Sequence, residues 1–397
     1  MPGFIFKFGH SLFNPTMKYL LFILFLPVLV FGQSLRQSDF FTSEQAIEEH
    51  KDLAQLYNSK EDWQNRAAAI RQSILHGAGI KQIQFGLPVN ATIHSKKVMD
   101  GYSVENVFFE SIPGVYVSGN LYEPLNLTEK APAVLCPHGH GRDQNNRFME
   151  YTQQRCATLA RMGAVVFAYD MLGYGDFKQA DHKIENVFKI QLLNSVRIVD
   201  FLSHMEEVDS ERIAITGESG GGTQTFMLSA IDDRIAVSVP TVMVSGYFFG
   251  GCQCESGMPV HTSFAPATTN VEVAACMAPK PLMLISDGGD WTRFVPEMEA
   301  PHIRRIYSFF EAGDQFENAH FPEEKHDYGP SKRQAAYHFL ARHLELDIDN
   351  VLVNGEVDET RNTILTPEFL SVYTEQYPRP AAAVMGNEAL IELINNF

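Results

Sequence analysis

Positive charge is scarce in this sequence. Its 31 lysines and arginines stand against 48 aspartates and glutamates, and the formal net charge is −17. A protein with this charge repels the phosphates of nucleic acids and of anionic lipid surfaces. We therefore expect no nucleic-acid partner and favour a small or neutral substrate.

Cysteine is also rare. An odd number of thiols leaves at least one unpaired, and a chain of 397 residues can bury a core without a disulfide scaffold. Cys252 and Cys254 form a single C-x-C, which we interpret as structural, with one disulfide to Cys276 as an option. His138-x-His140 lacks a third histidine or a carboxylate at ligand spacing. The sequence therefore predicts no metal site and no cofactor. The five cysteines are Cys136, Cys156, Cys252, Cys254 and Cys276.

Long apolar runs are missing, except for residues 19–31, YLLFILFLPVLVF. This run is shorter than the roughly 20 residues of a membrane-spanning helix. Met17 and Lys18 precede it and Gly32 follows it, which is typical of a secretory signal peptide. We predict a signal peptide over residues 1–32 and a secreted or periplasmic protein that has no membrane contact after cleavage.

The rest of the chain contains no internal repeat. Apolar spacing over 43–80 favours helix, and we predict a helical extension over 33–100. From residue 102 apolar and polar residues alternate, which predicts a hairpin that turns at 112–114. A catalytic domain is expected over 101–345. The C-terminal extension, 346–397, has no pattern that we can interpret.

Short apolar runs alternate with helical stretches after residue 130. Strands that are apolar on both faces indicate a mostly parallel sheet with helices on both faces, and hence an α/β fold. Functional groups in such sheets gather at the carboxyl ends of the strands. The predicted strands are 133–136, 164–168, 212–216, 235–239, 281–286 and 316–320, and the predicted helices include 153–162, 184–205, 223–231, 297–310 and 331–344.

The segment GESGGGTQ, residues 217–224, places one serine among four glycines between a predicted strand and a helix. It fits G-x-S-x-G, in which a sharp turn presents the serine as a nucleophile. Bulky neighbours would collide at such a turn, which explains the glycines. We therefore predict Ser219 as the nucleophile.

A serine nucleophile needs a histidine base and an acid that orients it, and in this motif both follow the serine. His326 lies in a polar loop that can reach back to Ser219, so we favour it over His320. The acid must follow the strand at 281–286. We favour Asp290 over Asp287 because two glycines allow Asp290 to project from the loop.

Acyl transfer also needs two donors for the oxyanion. The N–H of Gly220 is one, and the N–H of His140, in LCPHGHGRD after an early strand, is the other. Residues 170–176, DMLGYGD, are interpreted as a structural segment beneath Ser219. Glu218 is interpreted as one half of a structural ion pair.

Six segments together resemble the α/β-hydrolase superfamily, in its acetylxylan-esterase-related branch of exported bacterial hydrolases. The resemblance runs from about residue 63 to residue 343. It implies Ser219, Asp290 and His326 as the catalytic triad, and Gly220 and His140 as the oxyanion hole. The segments are GYSVENVFFESIPGVYVSGNLYEP, PHGHGRD, YDMLGYGD, GESGGGTQT, SDGGDWT and KHDYGPSKR.

The expected activity is hydrolysis of a carboxylic ester through an acyl-enzyme, with acetylated xylan or another acylated saccharide as substrate. A methyl or glucuronoyl ester of a uronate is an alternative. A peptidase of the prolyl-oligopeptidase type is another, although its propeller of repeats has no room ahead of residue 101. A non-catalytic binding protein is disfavoured because every triad element is present.

Overall fold

A computed structural model of the protein describes residues 35–38, 41–141 and 145–397. The predicted signal peptide lies outside these residues. The described residues form one compact unit, so neither predicted boundary, at 100/101 or at 345/346, separates two bodies. Within this part of the chain, every helix is too short or too polar to cross a lipid bilayer.

The strands of the described residues are β1 (Ala91–Val98), β2 (Tyr102–Ile112), β3 (Val115–Pro124), β4 (Ala131–Pro137), β5 (Val165–Tyr169), β6 (Val208–Glu218), β7 (Ile235–Thr241), β8 (Leu282–Asp287), β9 (Phe316–Phe321), β10 (Leu352–Val353) and β11 (Glu356–Val357). The first nine form one sheet in the order β1-β2-β3-β5-β4-β6-β7-β8-β9. The pairs β1/β2, β2/β3 and β3/β5 are antiparallel. All later neighbours are parallel. The predicted hairpin and the predicted parallel strands are confirmed.

Helices cover both faces of the sheet. The side chains of β4 alternate between two cores, with Ala133 and Leu135 in one and Val134 and Cys136 in the other. The helices are α1 (Ser43–Ala54), α2 (Lys60–Gly77), α3 (Glu150–Arg161), α4 (Val187–Ser203), α5 (Gly220–Ile231), α6 (Gln253–Ser256), α7 (Asn270–Ala275), α8 (Ala300–Ser308), α9 (Pro330–Leu344), α10 (Pro367–Leu370) and α11 (Asn387–Asn395). The predicted α/β architecture is therefore confirmed.

The sequence predicts a helical extension ahead of residue 101, whereas the structure also has a strand in this region. Helices α1 and α2 end at Gly77, and β1 then joins the edge of the sheet. Helix α2 is fixed to the catalytic region by a buried ion pair between Arg66 and Glu272. The extension is thus part of the same fold.

The C-terminal residues also belong to the fold. The Leu370 carbonyl oxygen, at the end of α10, accepts a hydrogen bond from the buried Arg147 side chain. Leu390 and Ile394 of α11 are fully buried in a small core with Phe177 and Cys254. The tail therefore supports the loops that follow β5 and β7.

Candidate active site

Ser219 lies at the turn between β6 and α5, with φ 56° and ψ −121°. A positive φ is strained for serine, and such strain concentrates at functional sites. The glycines have a steric cause: a Cβ on Gly217 or Gly221 would lie 2.4 or 2.5 Å from the Pro137 carbonyl oxygen. The end of β4 thus packs against the turn, and only glycine fits at these two positions.

The loop after β4 lies against this turn. A Cβ on Gly139 would lie 3.0 Å from the Ser219 Cβ atom. The His138 ring is fully buried, and its Nε2 accepts a hydrogen bond from the Met171 N–H at 3.2 Å. Burial lowers the pKa of His138 to about 4. His138 is therefore a neutral structural residue that holds the loop.

The two predicted oxyanion residues meet beside Ser219. The His140 ring packs on Gly220, where a Cβ would lie 2.6 Å from the His140 Cε1 atom. Gly220 begins α5, so its N–H belongs to the first helical turn, where amides have no partner within the helix and the dipole favours negative charge. The first turn of α5 therefore lies beside Ser219 and has the electrostatic character that favours an anion.

Glu218 connects the nucleophile turn to the loop after β4. Its Oε2 accepts a hydrogen bond from Arg155 Nη1 at 3.0 Å, and its Oε1 accepts one from the Gly139 N–H at 2.9 Å. Both charged side chains are buried. The structure thus contains the ion pair expected for Glu218 and adds a contact, to Gly139, that the sequence did not indicate.

Asp290 and His326 form a hydrogen-bonded pair. Asp290 Oδ2 lies 2.6 Å from His326 Nδ1. Asp290 follows β8 and is nearly buried, whereas His326 follows β9 and its side chain is 32% exposed. The N–H and hydroxyl of Thr292 both donate to Asp290 Oδ1, which fixes the carboxylate. The imidazole is therefore oriented through Nδ1.

The two rival residues have other partners. Asp287 Oδ2 lies 2.8 Å from Lys332 Nζ, and both side chains are fully buried. Burial raises the pKa of Asp287, against the opposing effect of its hydrogen bond with Lys332. His320 Nδ1 lies 2.9 Å from the Ser286 hydroxyl. The structure thus pairs His326 with Asp290 and gives Asp287 a structural partner.

Trp291 borders the imidazole. Its ring stacks on Phe248 at a centroid distance of 4.0 Å and lies 4.5 Å from the His326 ring. Phe248 belongs to the segment that follows β7. The stack therefore forms a wall beside His326.

The predicted structural segment at 170–176 belongs to a buried network around Arg147. Arg147 Nε donates to Asp170 Oδ1 at 2.8 Å, and its Nη2 donates to Asp176 Oδ2 at 2.7 Å. The Arg147 side chain is fully buried. This network joins the loop after β5 to the C-terminal residues, as expected of a structural segment.

The cysteines are free thiols, and all of them lie in the described residues. The possible disulfide with Cys276 is absent because Cys276 lies in the core of one sheet face, whereas Cys252 and Cys254 pack in the core that contains α11. The two latter thiols lie beside His140 and His182. The sequence did not single out His182.

The fold of this chain is similar to that of known esterases. The acetyl xylan esterase (AXE1) family matches residues 88–247. The solved structure of methylesterase BT1017 is 36% identical, with a TM-score of 0.82, over 90% of this chain and 82% of that one. A glucuronoyl esterase from Solibacter usitatus is 14% identical, with a TM-score of 0.55, over 78% of this chain and 97% of that one. At that identity the second likeness shows the fold alone.

Two curated relatives match over shorter segments. YtaP of Bacillus subtilis, named as a hydrolase, is 26% identical over 147 residues, which are 33% of this chain and 48% of the relative. PA2218 of Pseudomonas aeruginosa is 26% identical over 159 residues, 39% of this chain and 38% of the relative. The chain thus spans less than half the length of either. The extended match to methylesterase BT1017 is the broader one, and with it the chain belongs to the α/β-hydrolase superfamily, in the acetylxylan-esterase-related branch of carboxylic-ester hydrolases.

Proposed function

We propose that the protein is a secreted serine carboxylic-ester hydrolase that works through an acyl-enzyme on Ser219. The observation that carries this proposal is the Asp290–His326 hydrogen bond. The loops after β8 and β9 form it at the carboxyl ends of the parallel strands, where Ser219 also lies. Acyl transfer requires a nucleophilic serine and an oriented imidazole base at the same end of the sheet.

The proposed reaction has two steps. His326 Nδ1 is held by Asp290, so Nε2 is the nitrogen that accepts the Ser219 hydroxyl proton as Oγ attacks the ester carbonyl. The N–H groups of Gly220 and His140 stabilise the oxyanion. The C–O bond of the ester breaks, His326 returns the proton to the departing alcohol, and water then releases the acid by the same route.

The favoured substrate is the methyl ester of a sugar acid. The relative that matches 90% of this chain is a methylesterase. The acetyl xylan esterase match ends at residue 247, ahead of Asp290, Trp291 and His326. It therefore covers the nucleophile but not the wall beside the base.

The position of Trp291 supports a small leaving group. The base protonates the departing alcohol, so the space beside His326 must accept that alcohol. The Trp291 ring, 4.5 Å from the imidazole, narrows this space and suits methanol better than a sugar. Acetylated saccharide, for which the sugar is the leaving group, is the second candidate because of the family match.

The mechanism is tested by Ser219→Ala and His326→Ala, with His320→Ala as the matched control. Nucleophile and base act as one unit, so each loss should reduce ester turnover by several orders of magnitude and to a similar extent. The control, whose ring contacts Ser286, should retain turnover. Full activity in folded Ser219→Ala protein would contradict the proposed mechanism.

The substrate is tested by comparing methyl uronates, acetylated xylo-oligosaccharides and proline peptides at matched concentration. Release of methanol should be fastest. Trp291→Ala should raise the rate on acetylated saccharides relative to methyl uronates, since it widens the leaving-group side. Preference of the native enzyme for acetylated xylan would keep the mechanism and change the substrate, and cleavage of peptides alone would favour a peptidase.

A further inference from the structure

Four metal-ligating side chains meet next to the oxyanion loop. They are His140 of the loop after β4, His182 of the loop after β5, and Cys252 and Cys254 of the segment after β7. One donor atom from each residue lies within 4.8 Å of every other. His140 Nε2 lies 3.0 Å from His182 Nε2 and 3.1 Å from Cys254 Sγ. Residues far apart in sequence therefore surround one point.

The histidine rings are oriented as ligands. His182 Nδ1 lies 2.6 Å from the Leu172 carbonyl oxygen, an acceptor, so this nitrogen carries the proton and Nε2 presents a lone pair. On the other side of the His140 ring, Nδ1 lies 3.7 Å from Glu255 Oε1, too far for a hydrogen bond but close enough for charge attraction. With the two Nε2 atoms 3.0 Å apart, a proton or a cation must lie between them.

Partners on the far side of a histidine ring are typical of metal sites. Histidines that bind a metal through one nitrogen usually donate the other N–H to a carboxylate or a backbone carbonyl. The Leu172 carbonyl oxygen is such a partner for His182, and the Glu255 carboxylate lies 3.7 Å from His140 Nδ1 on the corresponding side of that ring. Glu255 Oε2 also accepts the Cys252 N–H at 2.9 Å, so one carboxylate holds both a histidine and the C-x-C segment.

The thiols favour a cation as well. The Sγ atoms of Cys252 and Cys254 join the two imidazoles in one cluster, whose ligand atoms all lie within 4.8 Å of one another. Cys254 is buried. Two cysteine sulfurs beside two imidazoles are a strong ligand set for a divalent metal such as zinc.

We propose that His140, His182, Cys252 and Cys254 bind one Zn²⁺ ion. Two sulfurs and two nitrogens in a tetrahedron are a preferred zinc environment. With Zn–N bonds of about 2.0–2.1 Å, two nitrogen ligands are about 3.3 Å apart, which is close to the observed separation of 3.0 Å. Binding forms two Zn–S bonds and two Zn–N bonds and releases the protons of both thiols to solvent.

The proposed site is structural. Four protein ligands close a tetrahedron and leave no position for water or substrate, unlike a catalytic zinc with three ligands. The ion would tie together the loops after β4, β5 and β7. Because the proposed function assigns an oxyanion donor to the His140 backbone, the ion would also fix that donor through the same residue.

The test measures zinc per chain by elemental mass spectrometry in the protein without the predicted signal peptide. The protein is reduced, loaded with Zn²⁺ and dialysed against metal-free buffer. We expect one zinc per native chain and none in C252S/C254S. Cys276→Ala and His338→Ala, which change a buried thiol and an exposed histidine outside the cluster, should retain it. Loading with Co²⁺ should give the absorption of a tetrahedral site with thiolate ligands.

Glu255, which lies behind His140 and accepts the Cys252 N–H, gives a second measurement. Glu255→Gln should weaken Zn²⁺ binding by about 10- to 100-fold in a competition titration with a chelator, as loss of a carboxylate behind a ligand does elsewhere. Removal of zinc from the native protein should lower Tm, because an ion that binds only the folded chain stabilises it. It should also lower kcat more than it raises KM.

Two results would overturn the proposal. One is a native chain that holds no zinc after loading while its thiols titrate as free. The other is an intact mass lower by two hydrogen atoms, with a peptide that contains a Cys252–Cys254 disulfide. Retention of zinc without ester hydrolysis would uphold the metal site and count against the proposed function alone, so the two failures are distinguishable.

Discussion

The Tyr328 hydroxyl lies 2.7 Å from the Thr216 hydroxyl. Tyr328 follows His326 by two residues, and Thr216 precedes Ser219 by three. Both side chains are buried, and the Thr216 hydroxyl donates to the Val239 carbonyl oxygen at 2.9 Å. The Thr216 hydroxyl oxygen therefore accepts the hydrogen bond from the Tyr328 hydroxyl. This bond links the loop of the proposed base to the strand of the proposed nucleophile.

Tyr328→Phe should lower kcat by about 3- to 10-fold with little change in KM, because a small displacement of the base raises the barrier without touching the substrate. Loss of one hydrogen bond costs about 1 kcal/mol of stability, and Thr216 keeps its acceptor. Steady-state kinetics and urea denaturation measure the two effects.

The matched control for this change is Tyr337→Phe. Tyr337 is also a buried tyrosine, but its hydroxyl donates to Glu359. The Tyr337→Phe variant should lose comparable stability, and its kcat should stay unchanged. Equal kcat losses in the two variants would show that the effect of Tyr328 reflects stability alone.

Asp290→Asn should reduce kcat by about 10⁴-fold while the protein stays folded, because the orienting acid sets the histidine tautomer and stabilises the imidazolium. Asp287→Asn should behave in the opposite way. It leaves the buried Lys332 without its closest carboxylate, which should cost about 3 kcal/mol of stability, with kcat preserved. Kinetics on folded protein, checked by circular dichroism, separate the two cases, and an inactive but stable Asp287→Asn variant would reverse the assignment.

Glu218→Gln and Glu218→Ala should both destabilise the fold by about 3–5 kcal/mol, since each leaves the buried Arg155 charge unpaired. Glutamine retains an acceptor for the Gly139 N–H, and alanine does not. We therefore expect alanine to lower kcat further than glutamine. Chemical denaturation and kinetics on the folded fraction measure this difference.

The double variant R155M/E218Q is the control for the charge. It removes both buried charges, so it should recover much of the lost stability relative to Glu218→Gln. If the double variant is no more stable than the single one, the loss comes from packing and not from the unpaired arginine.

The sequence predicted the parallel strands, and it singled out Asp290 and His326, which the structure joins by a hydrogen bond, because both inferences depend on local or ordered signals. Apolar runs identify strands buried on both faces, and a chain order of serine, acid and histidine limits the candidates to a few loops. Glycines around Ser219 predicted the close approach of another chain segment. The structure identifies that segment as the end of β4, at Pro137.

The sequence did not predict β1, since ATIHSKKV lies at the sheet edge with mostly polar, accessible side chains and lacks an apolar run. The contacts of α11 depend on two buried residues, too few for a visible pattern. The cluster around His140 joins His182 and Cys254, 42 and 114 residues further along the chain, by long-range packing. No spacing rule reaches that far, so the ligand set appears only in three dimensions.

His302 should make the protein less stable in mild acid. Burial lowers its pKa to about 3, and its Nε2 lies 2.6 Å from the Tyr57 hydroxyl, so the ring is neutral in the folded chain. In the unfolded chain its pKa returns to about 6.5, and the unfolded state binds a proton that the folded state does not. The contribution of His302 is therefore fully present above pH 6.5 and is lost as the pH falls towards 3.

His302→Gln isolates this contribution from other groups that titrate in the same range. Buried His50 and His261 act in the same direction as His302, whereas Glu299, whose pKa burial raises to about 8, acts in the opposite one. The variant removes one titrating group and keeps an acceptor for Tyr57. Between pH 6 and 4, the free energy of unfolding should therefore fall less steeply in the variant than in the native protein, by up to about 1.4 kcal/mol per pH unit. Urea denaturation at several pH values measures both slopes, and equal slopes would mean that His302 titrates normally in the fold.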